Sequence, residues 1–258
     1  MIVDVQKGFD LCVGAVCRVQ DLVLVLNLVD LIGSLMNLAM GTRPDIVYSL
    51  QQLSQYLANP GPAHWEAAER AIGYLSGTKT LGLVLGGPHS PAQPMLSAYV
   101  DADFTQCTDT RRCITGNVTL LHGTLISWLS KKQPLVTLIT TEAEYVALAL
   151  CEQELLNLKQ LLMELGLQIN EAIPVYEDNQ SCIKVASNPE LHARTKHIDV
   201  RYFFVKDLVA DGVFELVYCK SAQMWGDFFT KALPKATFIA FRTSFNMRLL
   251  EVYRRGGL

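Results

Sequence analysis

From residue 96 onward the hydrophobic periodicity changes in a fixed order, and that order is what most constrains the fold. Leu96-Ser97-Ala98-Tyr99-Val100-Asp101 alternates with a period of two, putting Leu96, Ala98 and Val100 on one face of a strand that ends at Asp101. Two more strands are predicted at about 114–121 and 124–130, separated by His122-Gly123. The period then lengthens to that of a helix over about 141–165, with Ala147, Leu148, Cys151, Leu155, Leu158, Leu162 and Leu165 on one stripe and Gly166 as the stop. A short strand (Val175-Tyr176-Glu177), a short helix from Asn179, a helix through 197–210, a strand at 213–219 and a helix from about 224 complete the series. Sequential strands, a long helix, then alternating strands and helices predict an α/β fold, a mixed sheet flanked by helices.

The chain before residue 85 reads as helical instead. Thr42-Arg43-Pro44-Asp45 is a helix start, with Pro44 placed where a missing N–H does no harm, and the helix is expected to reach about Ala58 and stop at Asn59-Pro60-Gly61. A second helix places Trp65, Ala68, Ile72 and Leu75 on one core-facing stripe and closes at Gly77. Gly86-Gly87-Pro88-His89-Ser90-Pro91 is turn-rich and marks a domain boundary. Residues 22–40 are the apolar stretch long enough to raise a membrane question. Asn27, Asp30 and Asn37 interrupt it, and a mid-membrane Asp costs about 2.5–3.5 kcal/mol, so a buried helix of a soluble domain is expected.

Half of the 258 residues are hydrophobic and 18% are charged, enough apolar surface for a real core and too little charge for a disordered chain. The formal net charge of −3 carries no bulk signal for nucleic acid, so such a role must rest on local patches. Cys12, Cys17, Cys107, Cys113, Cys151, Cys182 and Cys219 are scattered, odd in number and form no CxxC pair. That excludes a zinc ribbon and a disulfide framework and predicts core thiols in a reducing, intracellular compartment, cytoplasmic or nuclear. The amino terminus lacks the features of a secretory signal.

Four acids carry the chemistry: Asp101 at a strand end, Glu144 on the core stripe of the long helix, Asp178 at the next strand end, and Asp227 early in the final helix. Open α/β sheets place their sites at such an edge. Each acid also has a plain structural reading. Asp101 or Asp103 is a turn acid, Glu144 with Thr141 fits a T-x-x-E capping box, Asp178 is an N-cap, and Asp227 favours a helix dipole. Taken together, clustered carboxylates with no neutralising Arg or Lys in the motif repel one another. A divalent cation resolves the repulsion, and all-oxygen ligation selects Mg²⁺ or Mn²⁺ over zinc. Two such ions about 3.5–4 Å apart activate a water and stabilise the leaving oxygen of a phosphodiester.

At these residues a resemblance becomes specific. Asp109-Thr110-Arg111-Arg112-Cys113-Ile114-Thr115-Gly116, ISWLSKKQP (126–134) and Thr140-Thr141-Glu142-Ala143-Glu144-Tyr145 resemble the ribonuclease H domain of copia-type LTR retrotransposon polyproteins. Glu177-Asp178-Asn179-Gln180-Ser181, Arg194-Thr195-Lys196-His197-Ile198-Asp199 and Asp227-Phe228-Phe229-Thr230-Lys231-Ala232-Leu233-Pro234 continue the match in order. Upstream, Ile32-Gly33-Ser34-Leu35-Met36, Thr42-Arg43-Pro44-Asp45-Ile46, Asn59-Pro60-Gly61, His64-Trp65 and Tyr74-Leu75-Ser76-Gly77-Thr78 resemble the end of the same polyprotein's reverse transcriptase. Tyr99-Val100-Asp101-Ala102-Asp103 differs from the polymerase YxDD signature by an extra Ala, and no polymerase activity is expected of this chain alone.

The resemblance implies a ribonuclease H-like domain over 95–240. Before it come an unassigned segment (1–30), a helical reverse-transcriptase tail (31–85) and a linker (86–94), and after it a C-terminal tail (241–258). It implies Asp101, Glu144, Asp178 and Asp227 as catalytic and metal-binding residues holding two Mg²⁺ or Mn²⁺ ions, with Glu144 rather than Glu142 matching the family's catalytic glutamate. The implied activity is cleavage of the RNA strand of RNA–DNA hybrids. The implied partners are such a hybrid and the rest of the reverse-transcriptase polyprotein, with no membrane and no small-molecule cofactor. Arg111, Arg112, Lys131, Lys132, Arg194 and Lys196 are local basic pairs suited to phosphates, or else solvated surface charge. Trp225-Gly226 departs from the small apolar pair usual before the final Asp. That departure, the missing polymerase palm and the unmatched first 30 residues motivate the alternative of an inactive retroelement remnant that at most binds nucleic acid. An integrase-like strand transferase, with acids in D, D, E order, does not fit the D, E, D, D order here.

Overall fold

A computed structural model describes residues 28–58, 60–86, 93–104, 112–134, 137, 139–187 and 199–250. They form two compact units, one divided from the other at Leu83/Val84 and at Asn246/Met247.

The first unit contains α1 (Leu28–Gly41), a 3-10 turn (Pro44–Ile46), α2 (Val47–Ser54), α3 (Pro62–Gly77) and the short strand β1 (Leu81–Leu83). Helix α1 buries Leu28, Ile32, Leu35 and Ala39, the spacing of one helical face, and leaves Asp30 and Asn37 outside. No helix among the described residues is long and apolar enough to cross a membrane. The helix expected from Thr42 to Ala58 is instead a 3-10 turn followed by an α-helix that stops at Ser54. The reason lies in Arg43 and Asp45, which face inward, 4% and 5% exposed. Arg43 donates from Nε to Asp45 Oδ1 and from Nη2 to Asp45 Oδ2, both at 2.8 Å. Arg43 Nη2 also reaches Thr78 Oγ1 at 2.7 Å and Nη1 the Thr78 carbonyl at 3.2 Å, while Tyr74 Oη donates to Asp45 Oδ2 at 2.6 Å. On α3 the buried positions are Ala68, Ala71 and Leu75, so the face is rotated toward Ala71 and leaves Trp65 and Ile72 half-buried.

The second unit is built on a five-stranded sheet in the order β4-β3-β2-β5-β6. Its strands are β2 (Leu96–Asp103), β3 (Ile114–Leu121), β4 (Thr124–Lys132), β5 (Ile173–Glu177) and β6 (Phe214–Tyr218). The first three form an antiparallel meander, while β5 joins β2, and β6 joins β5, in parallel. His122 and Gly123 both have positive φ (47° and 74°), the two-residue primed turn whose twist suits a hairpin. Strand β2 continues two residues beyond its expected end, so Asp101 lies within it, opposite Gly116 of β3.

Helix α4 (Thr140–Glu164) lies against one sheet face, packing Ala147, Leu148, Cys151 and Leu155 with Leu96, Ala98 and Val100. Its expected stripe holds to Leu162, but Leu165 follows the helix end and is 68% exposed. Helices α5 (Gln180–Ser187) and α6 (Asp199–Ala210) contribute Cys182, Ala186 and Val205 to the same core. The helix expected from about 224 is broken into a single turn α7 (Asp227–Thr230) and α8 (Lys235–Ser244), preceded by a 3-10 turn (Ser221–Gln223), with Pro234 at the N-cap of α8. Residues 241–258, expected as one tail, therefore divide. Helix α8 closes in the sheet unit, whereas strand β7 (Met247–Leu249) pairs antiparallel with β1 in the helical unit. Cys113, Cys151, Cys182 and Cys219 are buried free thiols; Cys12, Cys17 and Cys107 lie outside the described residues.

Candidate metal centre

The parallel neighbours β2 and β5 deliver Asp101 and Asp178, and the first turns of α4 deliver Glu144. Each of these three side chains offers an oxygen within 4.8 Å of the others. Asp101 and Glu144 are buried and Asp178 is half-buried. The capping-box reading of Glu144 fails, because Ile139 precedes the helix, makes no side-chain cap bond, and Thr141 lies inside. The N-cap reading of Asp178 fails too. Asn179 Oδ1 accepts from the N–H groups of Ser181 and Cys182 at 3.0 and 3.1 Å, while Asp178 Oδ2 accepts from Ser221 Oγ at 2.6 Å.

Asp227 enters differently. It opens α7, and its Oδ1 lies 2.6 Å from Lys231 Nζ, four residues on. The same ammonium is 3.4 Å from Asp101 Oδ1, and Thr230 Oγ1 donates to Asp101 Oδ2. The expectation of a motif without a neutralising base is therefore corrected. One helical turn brings Lys231 beside Asp227 and into reach of Asp101. The close three-acid cluster comprises Asp101, Glu144 and Asp178, with Asp227 linked to it through Lys231.

Tight packing makes this approach possible. A Cβ on Gly226 would stand 2.7 Å from Asp101 Cβ, and one on Gly116 would stand 2.7 Å from the Gly226 carbonyl and from Thr230 Cγ2. The Trp225-Gly226 departure thus meets a demand for no side chain at 226. Trp225 itself stacks on Tyr99 (centroids 5.1 Å apart), which stacks on Tyr176 (4.5 Å). Tyr99, Tyr176 and Trp225 each stand two residues before one of the acids Asp101, Asp178 and Asp227, so one aromatic ladder fixes the backbone beneath all of them.

The electrostatics are those of a surplus of negative charge. Burial, opposed by Lys231 and reinforced by Asp227, pushes Asp101 up to about 7. Burial and the nearby Glu177, Asp101 and Asp178 raise Glu144 well above the usual carboxylate range. Burial and Asp178 likewise push Glu177 up to about 8, although its Oε1 accepts from the Asn179 N–H at 2.9 Å. Lys231 is held more firmly protonated, since the two aspartates outweigh its partial burial. Glu144 Oε2 is buried without a hydrogen-bond partner. An orphaned carboxylate oxygen beside two other acids, with oxygen donors throughout, fits a hard divalent cation such as Mg²⁺ or Mn²⁺. The residues that could hold such an ion are Asp101, Glu144 and Asp178.

Glu177, Thr230, Lys231 and Gln133 were not singled out by sequence reasoning. Glu177 shares the inward face of β5 with Ile173 and Val175, a period-two signal. Gln133 is buried and donates to Thr115 Oγ1 at 3.0 Å and to the Ala143 carbonyl at 2.8 Å, fixing the start of α4 next to Glu144. Of the basic candidates, Arg112 and Lys131 are exposed and Lys132 half-buried, while Arg111, Arg194 and Lys196 lie outside the described residues. Ala102, Thr115 and Lys131 are in register across three strands, so Lys131 sits one row beyond Asp101 and two strands away, about 10 Å.

A mixed α/β domain with a cluster of three carboxylates, Asp101, Glu144 and Asp178, is thus the class of protein the structure defines. No protein-family profile matches the chain. It is 41% identical over 207 residues to the retrovirus-related Pol polyprotein from transposon TNT 1-94 of Nicotiana tabacum, covering 80% of this chain and 15% of that protein. It is 37% identical over 211 residues to the retrovirus-related Pol polyprotein from transposon RE2 of Arabidopsis thaliana, covering 82% of this chain and 14% of that protein. Among solved structures, the N-terminal RNase H domain of rv2228c from Mycobacterium tuberculosis is similar with a TM-score of 0.36 and 15% identity, over 58% of this chain and 96% of that one. The chain belongs to the copia-type retrotransposon Pol polyproteins and corresponds to a fragment of one, spanning 14–15% of the length of these relatives.

Proposed function

We propose that this chain is a ribonuclease H, a metal-dependent endonuclease that hydrolyses the RNA strand of RNA–DNA hybrids within a retrotransposon polyprotein. The observation that carries the reading is the meeting of Asp101, Glu144 and Asp178 within 4.8 Å, with a buried Glu144 oxygen left without a partner. Bound divalent ions would supply Lewis acidity and a nucleophilic water at neutral pH. Asp101, Glu144 and Asp178 would hold the ion, and Asp227 would extend the set on the α7 side. Thr230 and Gln133 orient Asp101 and Glu144, which limits the motion of the ligands during the reaction. Arg112, Lys131 and Lys132, at the same sheet end as Asp101, suit the phosphates of a duplex and read no sequence.

The rival reading, an inactive remnant, drew on the Trp225-Gly226 departure, and the close packing of Gly226 on Asp101 supports the active one. The test is cleavage of a labelled RNA–DNA hybrid in Mg²⁺. Wild type is expected to cleave, while Asp101→Asn and Asp178→Asn fall by about a thousandfold or more. Equal activity in all three proteins would mean a contaminating nuclease and end the assignment.

A further inference from the structure

Lys231 is a cation already seated among the acids. Its Nζ lies 2.6 Å from Asp227 Oδ1 and 3.4 Å from Asp101 Oδ1, so it bridges one oxygen of each carboxylate. A divalent ion shared through these two oxygens needs each at about 2.0–2.1 Å, and therefore competes with the ammonium for them. Asp101 also meets Glu144 and Asp178, with one oxygen of each within 4.8 Å of the others, and Glu144 Oε2 is buried without a partner. The two ligand groups that share Asp101 are thus unequal: one is a set short of a cation, the other a pair already holding one.

We propose that Lys231 is the resident cation of the Asp101–Asp227 side. One divalent ion binds to Asp101, Glu144 and Asp178 with the ammonium in place, and a second binds only as the ammonium leaves. This inference rests on the ion-site reading above and deepens it, by making the two ion sites unequal and assigning the inequality to one side chain. The lysine is built to leave. Its side chain is 34% exposed, on a flexible four-carbon stem, whereas Thr230 beside it is fully buried and holds Asp101 in place. The departing ammonium carries its charge to solvent as the ion brings a larger one, so the carboxylate pair is never left bare.

The test is calorimetric titration of the full chain with MnCl₂ alone, comparing wild type with Lys231→Met and Lys231→Arg. Wild type is expected to take one ion tightly and a second weakly. Lys231→Met should tighten the second ion by about tenfold or more and the first, which shares Asp101, by clearly less, whereas Lys231→Arg should resemble wild type. Lys231→Gln, titrated alongside, keeps the comparison if the Met variant fails to fold. A second-ion affinity that is the same with and without the positive charge overturns the role of Lys231 while the first ion stands. Absence of any bound ion in every protein overturns the ion-site reading, and this inference with it.

Discussion

The helical unit and the acid corner of the sheet both bury charge, and they do so in opposite ways. Around Arg43 and Asp45 each guanidinium nitrogen has an acceptor, and the Asp45 oxygens are met by Arg43 and by Tyr74. That cluster is electrically balanced and closed; nothing further is needed to hold it. Around Asp101 the count is uneven: Glu144, Asp178, Asp227 and Glu177 contribute to the same region, with Lys231 as the cation among them. The difference separates a matched use of buried charge from an unmatched one. A matched pair ties a turn to a helix, whereas an unmatched set creates demand for a cation from outside.

The contrast can be broken most sharply on the balanced side. Asp45→Ala leaves Arg43 buried without its partner and is expected to cost about 3–5 kcal/mol of stability, read from denaturant unfolding. In the sheet unit, replacing a buried carboxyl that has no hydrogen-bond partner is expected to help. Glu152 of α4 is fully buried, with neither carboxylate oxygen hydrogen-bonded, and burial pushes it up to about 9 from an ordinary 4.5. The folded chain keeps that proton while the unfolded chain releases it above about pH 4.5, so wild-type stability falls as pH rises toward 9. Glu152→Gln should therefore gain about 2–4 kcal/mol over wild type at pH 8 and nothing at pH 4, measured by thermal unfolding across that range. Gly226→Ala is expected to cost about 1–3 kcal/mol and to lower hybrid cleavage, because the new methyl must displace Asp101. The smallest effect should come from Lys131→Gln, which weakens hybrid binding slightly and lowers its salt dependence by about one ion.

Much of the sheet was legible because its cues are local. The period-two run at 96–101, the His122-Gly123 turn and the helical stripe from Ala147 to Leu162 each declare an element within a few residues. Asp101, Glu144 and Asp178 were legible because acids interrupt those patterns. What stayed hidden depends on partners far along the chain. The lack of a side chain at Gly226 is a demand made by Asp101 across the sheet, and nothing around residue 226 announces it. Lys231 was within reach of reasoning, since it stands four residues after Asp227, but its second contact, with Asp101, is purely tertiary. Glu152 follows Cys151 on the core stripe, and the helical period allows either residue inward; both are buried. Leu165 misled because the stripe outlasts the surface that α4 covers.

The hydroxyl that steadies Asp101 comes from Thr230, 129 residues later in the chain. A ribosome adding about 5–20 residues per second needs roughly ten seconds to make that stretch, so Asp101 emerges long before its clamp exists. Until α7 has been synthesised and has closed over the sheet, Asp101 lacks that hydrogen bond. The domain thereby carries its own clock, and the packing around Asp101 waits for one of the last elements of the sheet unit.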